Sequence, residues 1–250
     1  MGLLVPMFYY MRERPMTKKT CYQLIIDLLS DGKKGFAVLV DPDHFNEANV
    51  KNFLGTIPNH TSHIFVGGSS ITNGETKVTV MAIKENSSLP ILLFPGDVSQ
   101  ITTYADGILF LTLLSSRDPE YLIGQQVKAI PKLRTTDLEI ISMGYILIDG
   151  GNISAVQRVS NTEPMPQNNV QLIVDTALAG EYLGVKLIYL EAGSGAKYPV
   201  SSEIISAVKK EISIPLIVGG GIKNEEEIQI AYQAGADMVV MGTAYENLKQ

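Results

Sequence analysis

Near its C-terminal end the chain carries three short apolar runs, and each of them turns on glycine. Residues 185–189 lead into Leu190-Glu191-Ala192-Gly193-Ser194-Gly195, residues 214–218 into Gly219-Gly220-Gly221-Ile222, and residues 238–241 into Gly242-Thr243-Ala244. Runs this short and this apolar read as strands buried on both faces, the pattern of a parallel sheet. Helical spacing over 201–211 and 224–234 separates them, and strand–helix alternation brings successive strand ends to one side of the sheet. Glycine there exposes backbone N–H groups, which cradle a phosphate. In a (β/α)8 barrel the loops after the last strands are where a phosphate site is expected. One such loop is a tight turn; three at matching strand ends predict a site.

The same alternation runs through the rest of the chain. Strands are expected over 36–40, 63–66, 91–94, 108–111 and 145–148, and helices over 20–29, 46–54, 76–85, 119–130 and 170–182. Between the third and fourth strands the chain is short and holds Pro95, Gly96 and Gly107. No full third helix fits, so one flank of the barrel should lie uncovered. The polar stretch 149–169 reads as a lid or binding loop. The eighth helix should be short or absent. The expected architecture is one (β/α)8 TIM barrel over 20–250, with the third helix missing. Residues 1–19 read as an N-terminal extension: the apolar stretch precedes Arg12 and Arg14, the reverse of a secretory leader, and is too short to span a bilayer. A weak membrane-surface anchor is the alternative.

A chain of 250 residues suits a single barrel. Its net charge of −6 argues against a nucleic-acid partner, since no basic stripe is present. An acidic protein that takes an anionic ligand needs local donors or a metal. Cys21 stands alone, so a disulfide framework is excluded and a reducing cytoplasm is expected. His44, His60 and His63 have no metal or triad spacing and read as surface or loop residues.

Asp41-Pro42-Asp43 and Gly67-Gly68-Ser69 close the first two strands. First and last strands of a barrel are neighbours, so these groups share a mouth with the glycine loops. Asp41 and the Ser69 hydroxyl are hard oxygen donors of the kind Mg²⁺ prefers beside substrate phosphates; the plainer alternative is a helix cap and a turn. Glu191 stands in an otherwise uncharged stretch beside the phosphate loop, as a general base for a substrate hydroxyl would, or as an acceptor for the loop amides. Tyr189 would orient the substrate. Lys197 and Lys223 read as solvated lysines near the phosphate.

On these residues the chain resembles the geranylgeranylglyceryl phosphate synthase family, which includes the heptaprenylglyceryl phosphate synthases, and within it the archaeal-like and Bacteroidetes-like branch. The resemblance covers nearly all of 20–250. It rests on Val40-Asp41-Pro42-Asp43, Val66-Gly67-Gly68-Ser69, the segment from Tyr189 to Gly195, Gly219-Gly220-Gly221-Ile222 and Gly242-Thr243-Ala244-Tyr245-Glu246. It implies a barrel lacking its third helix and transfer of a geranylgeranyl group from its diphosphate to the 3-hydroxyl of sn-glycerol 1-phosphate, giving an ether-lipid precursor. Asp41 and Ser69 would hold Mg²⁺. Tyr189, Leu190, Glu191, Ala192, Gly193, Ser194, Gly195, Gly220, Gly221, Gly242 and Thr243 would bind glycerol phosphate, with Glu191 removing the hydroxyl proton. A homo-oligomer, dimer or hexamer, is implied too, with transient membrane contact for the lipid product. The family often has a lysine two positions before the aspartate, where this chain has Leu39.

A prenyl tail needs an apolar site of its own, worth about 0.8 kcal/mol per buried carbon, and the uncovered flank would supply it. Phe94, Tyr104, Ile108 and Leu109 lie near that flank, with core packing as their competing role. Two other functions remain open. A lyase or isomerase acting on a soluble sugar phosphate would use a Schiff-base lysine at a strand end or paired carboxylates; the nearest lysine, Lys186, is near the start of strand six. A non-catalytic phosphate binder would need neither Glu191 nor a metal.

Overall fold

Alternation along each strand divides its side chains between two cores. In β1 (Gly35–Val40), Phe36, Val38 and Val40 pack outward against the helices, while Ala37 faces inward with Leu39 beside it. The pattern repeats in β2 (His63–Val66), β3 (Ile91–Leu93), β4 (Gly107–Leu113), β5 (Glu139–Leu147), β6 (Leu187–Glu191), β7 (Leu216–Gly219) and β8 (Met238–Met241). In this computed structural model, which describes residues 19–69 and 75–242, the eight strands pair in parallel and in chain order, and β8 returns to β1 to close the barrel. The inner core stacks Phe65, Leu92, Leu109, Met143, Leu187, Ile217 and Met238. Closure leaves no sheet edge.

Helices fill the outer layer. α1 (Cys21–Ser30) precedes β1 and sends Cys21 and Ile25 into the inner core. Its N-terminus is held by Thr20, whose hydroxyl accepts from Gln23 N, and by Glu139 of β5, which accepts from Cys21 N at 2.5 Å. Its end is set by Asp31 and by Gly32 at φ +72°. α2 (Val50–Thr56), α3 (Thr76–Asn86), α4 (Gln125–Leu133), α6 (Val170–Tyr182), α7 (Ser202–Glu211) and α8 (Glu225–Ala234) join successive strands, and α5 (Ala155–Ser160) lies within the β5–β6 connection. A 3-10 turn, Glu47–Asn49, opens α2, and a π-helical turn, Glu120–Gly124, leads into α4. Ser201 and Asn224 cap α7 and α8 with side-chain oxygens.

Between β3 and β4 stands one 3-10 turn, Val98–Gln100, and no α-helix. The expected missing third helix is therefore found, and with it the modified (β/α)8 barrel.

Several boundaries differ from expectation. β5 begins at Glu139 rather than at 145 because its first half pairs along the whole of β4; tertiary pairing outweighs the weak pattern of Glu139 and Ser142. β6 runs two residues later than expected, and β7 starts two residues later and ends one residue later, so Glu191 is the last strand residue and not a loop residue. The stretch 149–169 is not an open loop. A parallel bridge between Ile148 and Met165 ties its base, and α5 lies inside it. His63 is 1% exposed, not on the surface: it opens β2 at the foot of the barrel, where burial lowers its pKa to about 4. The extension over 1–18, Thr243 and the eighth-helix region lie outside the described residues.

Candidate active site

Three residues of β6 point in alternate directions, and that decides their roles. Tyr189 and Glu191 face the barrel interior, while the side chain of Leu190 packs outward with the helix layer. Any ligand contact by Leu190 or by Ala192, which is likewise packed outward, is therefore a backbone contact. Ala192 N already donates to Gly219 O at 3.1 Å.

Tyr189 donates a side-chain hydrogen bond to Glu191, and Gly193 N donates to Glu191 Oε1 at 2.7 Å. The carboxylate is 7% exposed. Burial raises its pKa to about 7, and these two hydrogen bonds oppose the rise. Burial, followed by the charge of Glu191, pushes the Tyr189 phenol well above its usual range, so the phenol stays a donor. Beneath this pair lies an aromatic cluster. Tyr145 stacks on Tyr189 with ring centres 5.4 Å apart and planes 8° apart, and Phe94 lies 5.2 Å from Tyr189.

Glycines make the room. A Cβ on Gly219 would stand 2.1 Å from Tyr189 Oη and 3.2 Å from Glu191 Oε2; one on Gly220 would stand 2.3 Å from Glu191 Oε1. The β6 and β7 loops hold Gly193, Gly195, Gly220 and Gly221 at φ of +100°, +69°, +78° and +73°, in the left-handed region that favours glycine. Turns that place left-handed residues beside ordinary ones aim successive backbone N–H groups toward one side, an anion-binding concavity. Ser194 is exposed at the same mouth, and Gly242 closes β8 beside it. The 149–169 segment covers this loop: Asn152 Nδ2 donates to Gly195 O at 3.2 Å, and Lys197 N to Gly150 O at 2.8 Å. Lys197 and Lys223 are exposed.

Across the mouth, Asp41 and Ser69 follow β1 and β2, which pair in register to Val40 and Val66. The Asp41 carboxylate lies against Gly68, where a Cβ would meet it at 3.0 Å. Asp41 Oδ1 accepts from Asp43 N at 2.9 Å, and burial raises the Asp41 pKa. No group of three His, Cys, Asp or Glu side chains able to hold a metal comes together among the described residues. At this edge of the mouth the two expected donors are thus the Asp41 carboxylate and the Ser69 hydroxyl. That set fits a Mg²⁺ that keeps its waters and is also held by substrate phosphate oxygens.

From Glu191 and Ser194 a cavity of about 190 Å³ runs past Leu39, Gly67–Ser69 and Phe94 to the flank where a helix is missing. Its walls there are Ile101, Ile108, Phe110, Leu111, Tyr121 and Ala129, nearly all apolar. Phe94, Ile108 and Leu109 line it; Tyr104, 43% exposed, instead stacks under Lys77 Nζ at 5.0 Å. Leu39, standing where the family often has lysine, is part of the apolar lining. Among the described residues no lysine lines the cavity, and Lys186 sits at the opposite end of β6, 5.1 Å over the Tyr22 ring. The sequence reading missed Tyr145 and Gln100. Inward alternation along β5 would have signalled Tyr145; nothing in the sequence singles out Gln100.

A closed parallel barrel with glycine loops at its last strand ends, a buried carboxylate poised near neutrality and an apolar groove leading away is the frame of an enzyme that handles a phosphorylated and a greasy group together. The chain belongs to the PcrB family, which it matches over residues 31–250. It is 55% identical over 223 residues, 89% of this chain and 95% of the relative, to the geranylgeranylglyceryl phosphate synthase of Zunongwangia profunda. To the synthase of the same name from Pyrococcus abyssi it is 43% identical, across 88% of each chain. A solved structure of the (S)-3-O-geranylgeranylglyceryl phosphate synthase from Thermoplasma acidophilum, in complex with sn-glycerol-1-phosphate, matches with a TM-score of 0.84 at 34% identity, covering 92% of this chain and 93% of that one. The resemblance read from the motifs holds, and with it the expectation of an enzyme.

Proposed function

We propose that this chain transfers a geranylgeranyl group from geranylgeranyl diphosphate to the 3-hydroxyl of sn-glycerol 1-phosphate. The observation that carries the reading is the placement of Glu191, buried with a pKa near 7, where the glycine-lined loops meet the apolar groove. The relatives' names and the sn-glycerol-1-phosphate in the Thermoplasma complex support the choice of substrates.

Each part of the site has a task in that reaction. Backbone N–H groups of Ser194, Gly195, Gly220, Gly221 and Gly242 hold the glycerol phosphate, at about 1.5–3 kcal/mol for each bond to a charged group, while the N–H of Gly193 stays with Glu191. Tyr189 orients the acceptor. Glu191 takes the proton of the 3-hydroxyl as its oxygen forms the new ether bond to the allylic carbon, and the carbon–oxygen bond to the diphosphate breaks. Asp41 and Ser69 would hold Mg²⁺, which supplies charge neutralisation for the departing diphosphate. The groove takes the tail and excludes water from the allylic carbon. No helix among the described residues is long and apolar enough to cross a membrane, in keeping with a cytoplasmic enzyme that meets membranes only to release its product. The outward apolar residues Ile123, Val127 and Ile130 support assembly into a homo-oligomer.

The test is a transfer assay with Mg²⁺, radiolabelled sn-glycerol 1-phosphate and prenyl diphosphates of increasing length. An organic-extractable product, lost in EDTA, is expected. Folded protein that yields no product with any donor would overturn the reading in favour of the alternative, a lyase or isomerase acting on a soluble sugar phosphate.

A further inference from the structure

Where the third helix is absent, one side chain does the work of a strand extension. The β2–β3 ladder ends with Phe94 N donating to Val66 O at 2.8 Å. Beyond it both chains leave the sheet as glycine-rich loops, Gly67–Ser69 and Pro95–Gly96, with no helix between β3 and β4 to hold the second. Gln100, on the 3-10 turn Val98–Gln100, is 2% exposed and lies between them. Its Nε2 donates to Gly68 O at 2.7 Å, and its Oε1 accepts from Gly68 N at 3.3 Å and from Gly96 N at 3.2 Å. The amide thus pairs with both polar groups of Gly68 as a neighbouring strand would. It also fixes the loops at a separation too close for side chains: a Cβ on Gly96 would meet Gly68 O at 2.4 Å and Ser69 O at 2.6 Å.

Gly68 is the residue against which the Asp41 carboxylate lies, and Ser69 is next to it. We propose that Gln100 is a positioning residue for the diphosphate end of the donor: by fixing both polar groups of Gly68 it sets the separation of Asp41 and Ser69, and so the place where Mg²⁺ and diphosphate bind. The inference rests on the prenyl-transfer reading and deepens it. Buried hydrogen-bond partners one step removed from a metal or phosphate typically alter its binding by about 10–100-fold when removed. The tail and the glycerol phosphate lie elsewhere, so the effect belongs to the head group alone. The turn also abuts the groove, since Val98 lines it and Lys132 of α4 donates to Val98 O and Ser99 O at 3.3 and 3.1 Å. A role as groove wall is therefore the competing account, and donor length separates the two.

The experiment is calorimetric binding of inorganic pyrophosphate with Mg²⁺, which carries no tail and needs no turnover, to wild type and to Gln100→Met, with sn-glycerol 1-phosphate as the second titrant. Pyrophosphate binding should weaken by at least about tenfold while sn-glycerol 1-phosphate binds as in wild type. In steady-state assays, KM for short and long prenyl diphosphates should rise by the same factor. Unchanged pyrophosphate binding in a folded variant, or a KM rise confined to long donors, would overturn the proposal. Gly96→Ala reaches the same loops without altering Gln100 and should reproduce the pattern; it carries the test if Gln100→Met does not fold. A wild-type chain that binds pyrophosphate yet makes no lipid product would instead count against the transferase reading and leave the positioning role standing.

Discussion

Tyr189 donates its hydroxyl hydrogen bond to the carboxylate of Glu191, two residues on along the same strand, so both project into the barrel mouth from one inner face. That pairing gives the base a fixed direction and leaves it buried. Burial dominates the hydrogen bonds and brings the pKa to about 7, where a base is half free at working pH and still strong enough to take a hydroxyl proton. The rate should therefore climb with pH through a limb centred near 7. Glu191→Gln, of the same shape, should lower kcat by about 10²–10⁴-fold and abolish that limb, with sn-glycerol 1-phosphate still bound. A variant with wild-type kcat and the same pH limb would remove Glu191 from the chemistry.

The same shift has a consequence for stability. Folding raises the Glu191 pKa from 4.5 to about 7, so the folded state binds the proton more tightly than the unfolded chain does. The associated stabilisation is complete below pH 4.5 and is lost as pH rises through 7. Above that, the buried carboxylate weakens the fold by about 3 kcal/mol, each pKa unit being about 1.4 kcal/mol. Gln carries no such dependence. Thermal melts of Glu191→Gln and wild type should agree most closely near pH 5 and diverge toward pH 8, with the variant the more stable. Parallel melting curves across that range would show that the carboxylate is not desolvated.

Gly219 owes its presence to the pair beside it. A methyl group there would lie 2.1 Å from Tyr189 Oη, and the tyrosine is 1% exposed and stacked on Tyr145. Gly219→Ala should fold with a loss of about 1–3 kcal/mol from overpacking and lose most transfer activity, because Tyr189 and Glu191 are displaced together. Combining it with Tyr189→Phe, which removes the clashing oxygen, should recover part of the stability but not the activity. Denaturant titration of the single and double variants measures this.

How much of this was legible in the sequence depends on range. The strand order, the missing helix and the glycine loops are short-range features, and they stand out in the chain because apolar runs and glycines lie next to one another. Glu191 was visible as a lone charge. Its inward direction was not, since the end of β6 is set by pairing with β7 through Gly219. His63 was misplaced for a similar reason: its burial at the foot of β2, where the backbone of Cys21 in α1 hydrogen-bonds it, depends on elements distant in sequence. Gln100 gave no sign at all, because its partners, Gly68 and Gly96, are contributed by two loops that the barrel brings together. The apolar groove was foreseeable as a flank, but its lining required the positions of α4 and α5.

Asp41 is expected to act on the donor and not on the acceptor. Its carboxylate packs against Gly68 of the β2 loop, and no cluster of three metal-binding side chains backs it up among the described residues. Asp41→Asn should raise the Mg²⁺ concentration needed for half-maximal rate and the KM for prenyl diphosphate, by about 10-fold or more, while leaving KM for sn-glycerol 1-phosphate near its wild-type value. An equal rise in both KM values would point to a general distortion of the mouth.

Tail length should be set by how far the groove remains open between β4 and α4. Ala129, on α4, contributes only a methyl group to its lining and faces the wall that includes Phe110 and Leu111. A benzyl group in that position would fill space otherwise left to the distal carbons of the donor, each worth about 0.8 kcal/mol when buried. Ala129→Phe should therefore discriminate by length: geranyl diphosphate turned over at close to the wild-type rate, geranylgeranyl diphosphate with a KM raised by at least about tenfold, as two excluded methylenes suffice for that factor. Competition between the two donors in one reaction gives the ratio of kcat/KM directly. A ratio unchanged from wild type would mean that the tail leaves the cavity before it reaches α4, and would move the binding groove to the other side of the missing helix.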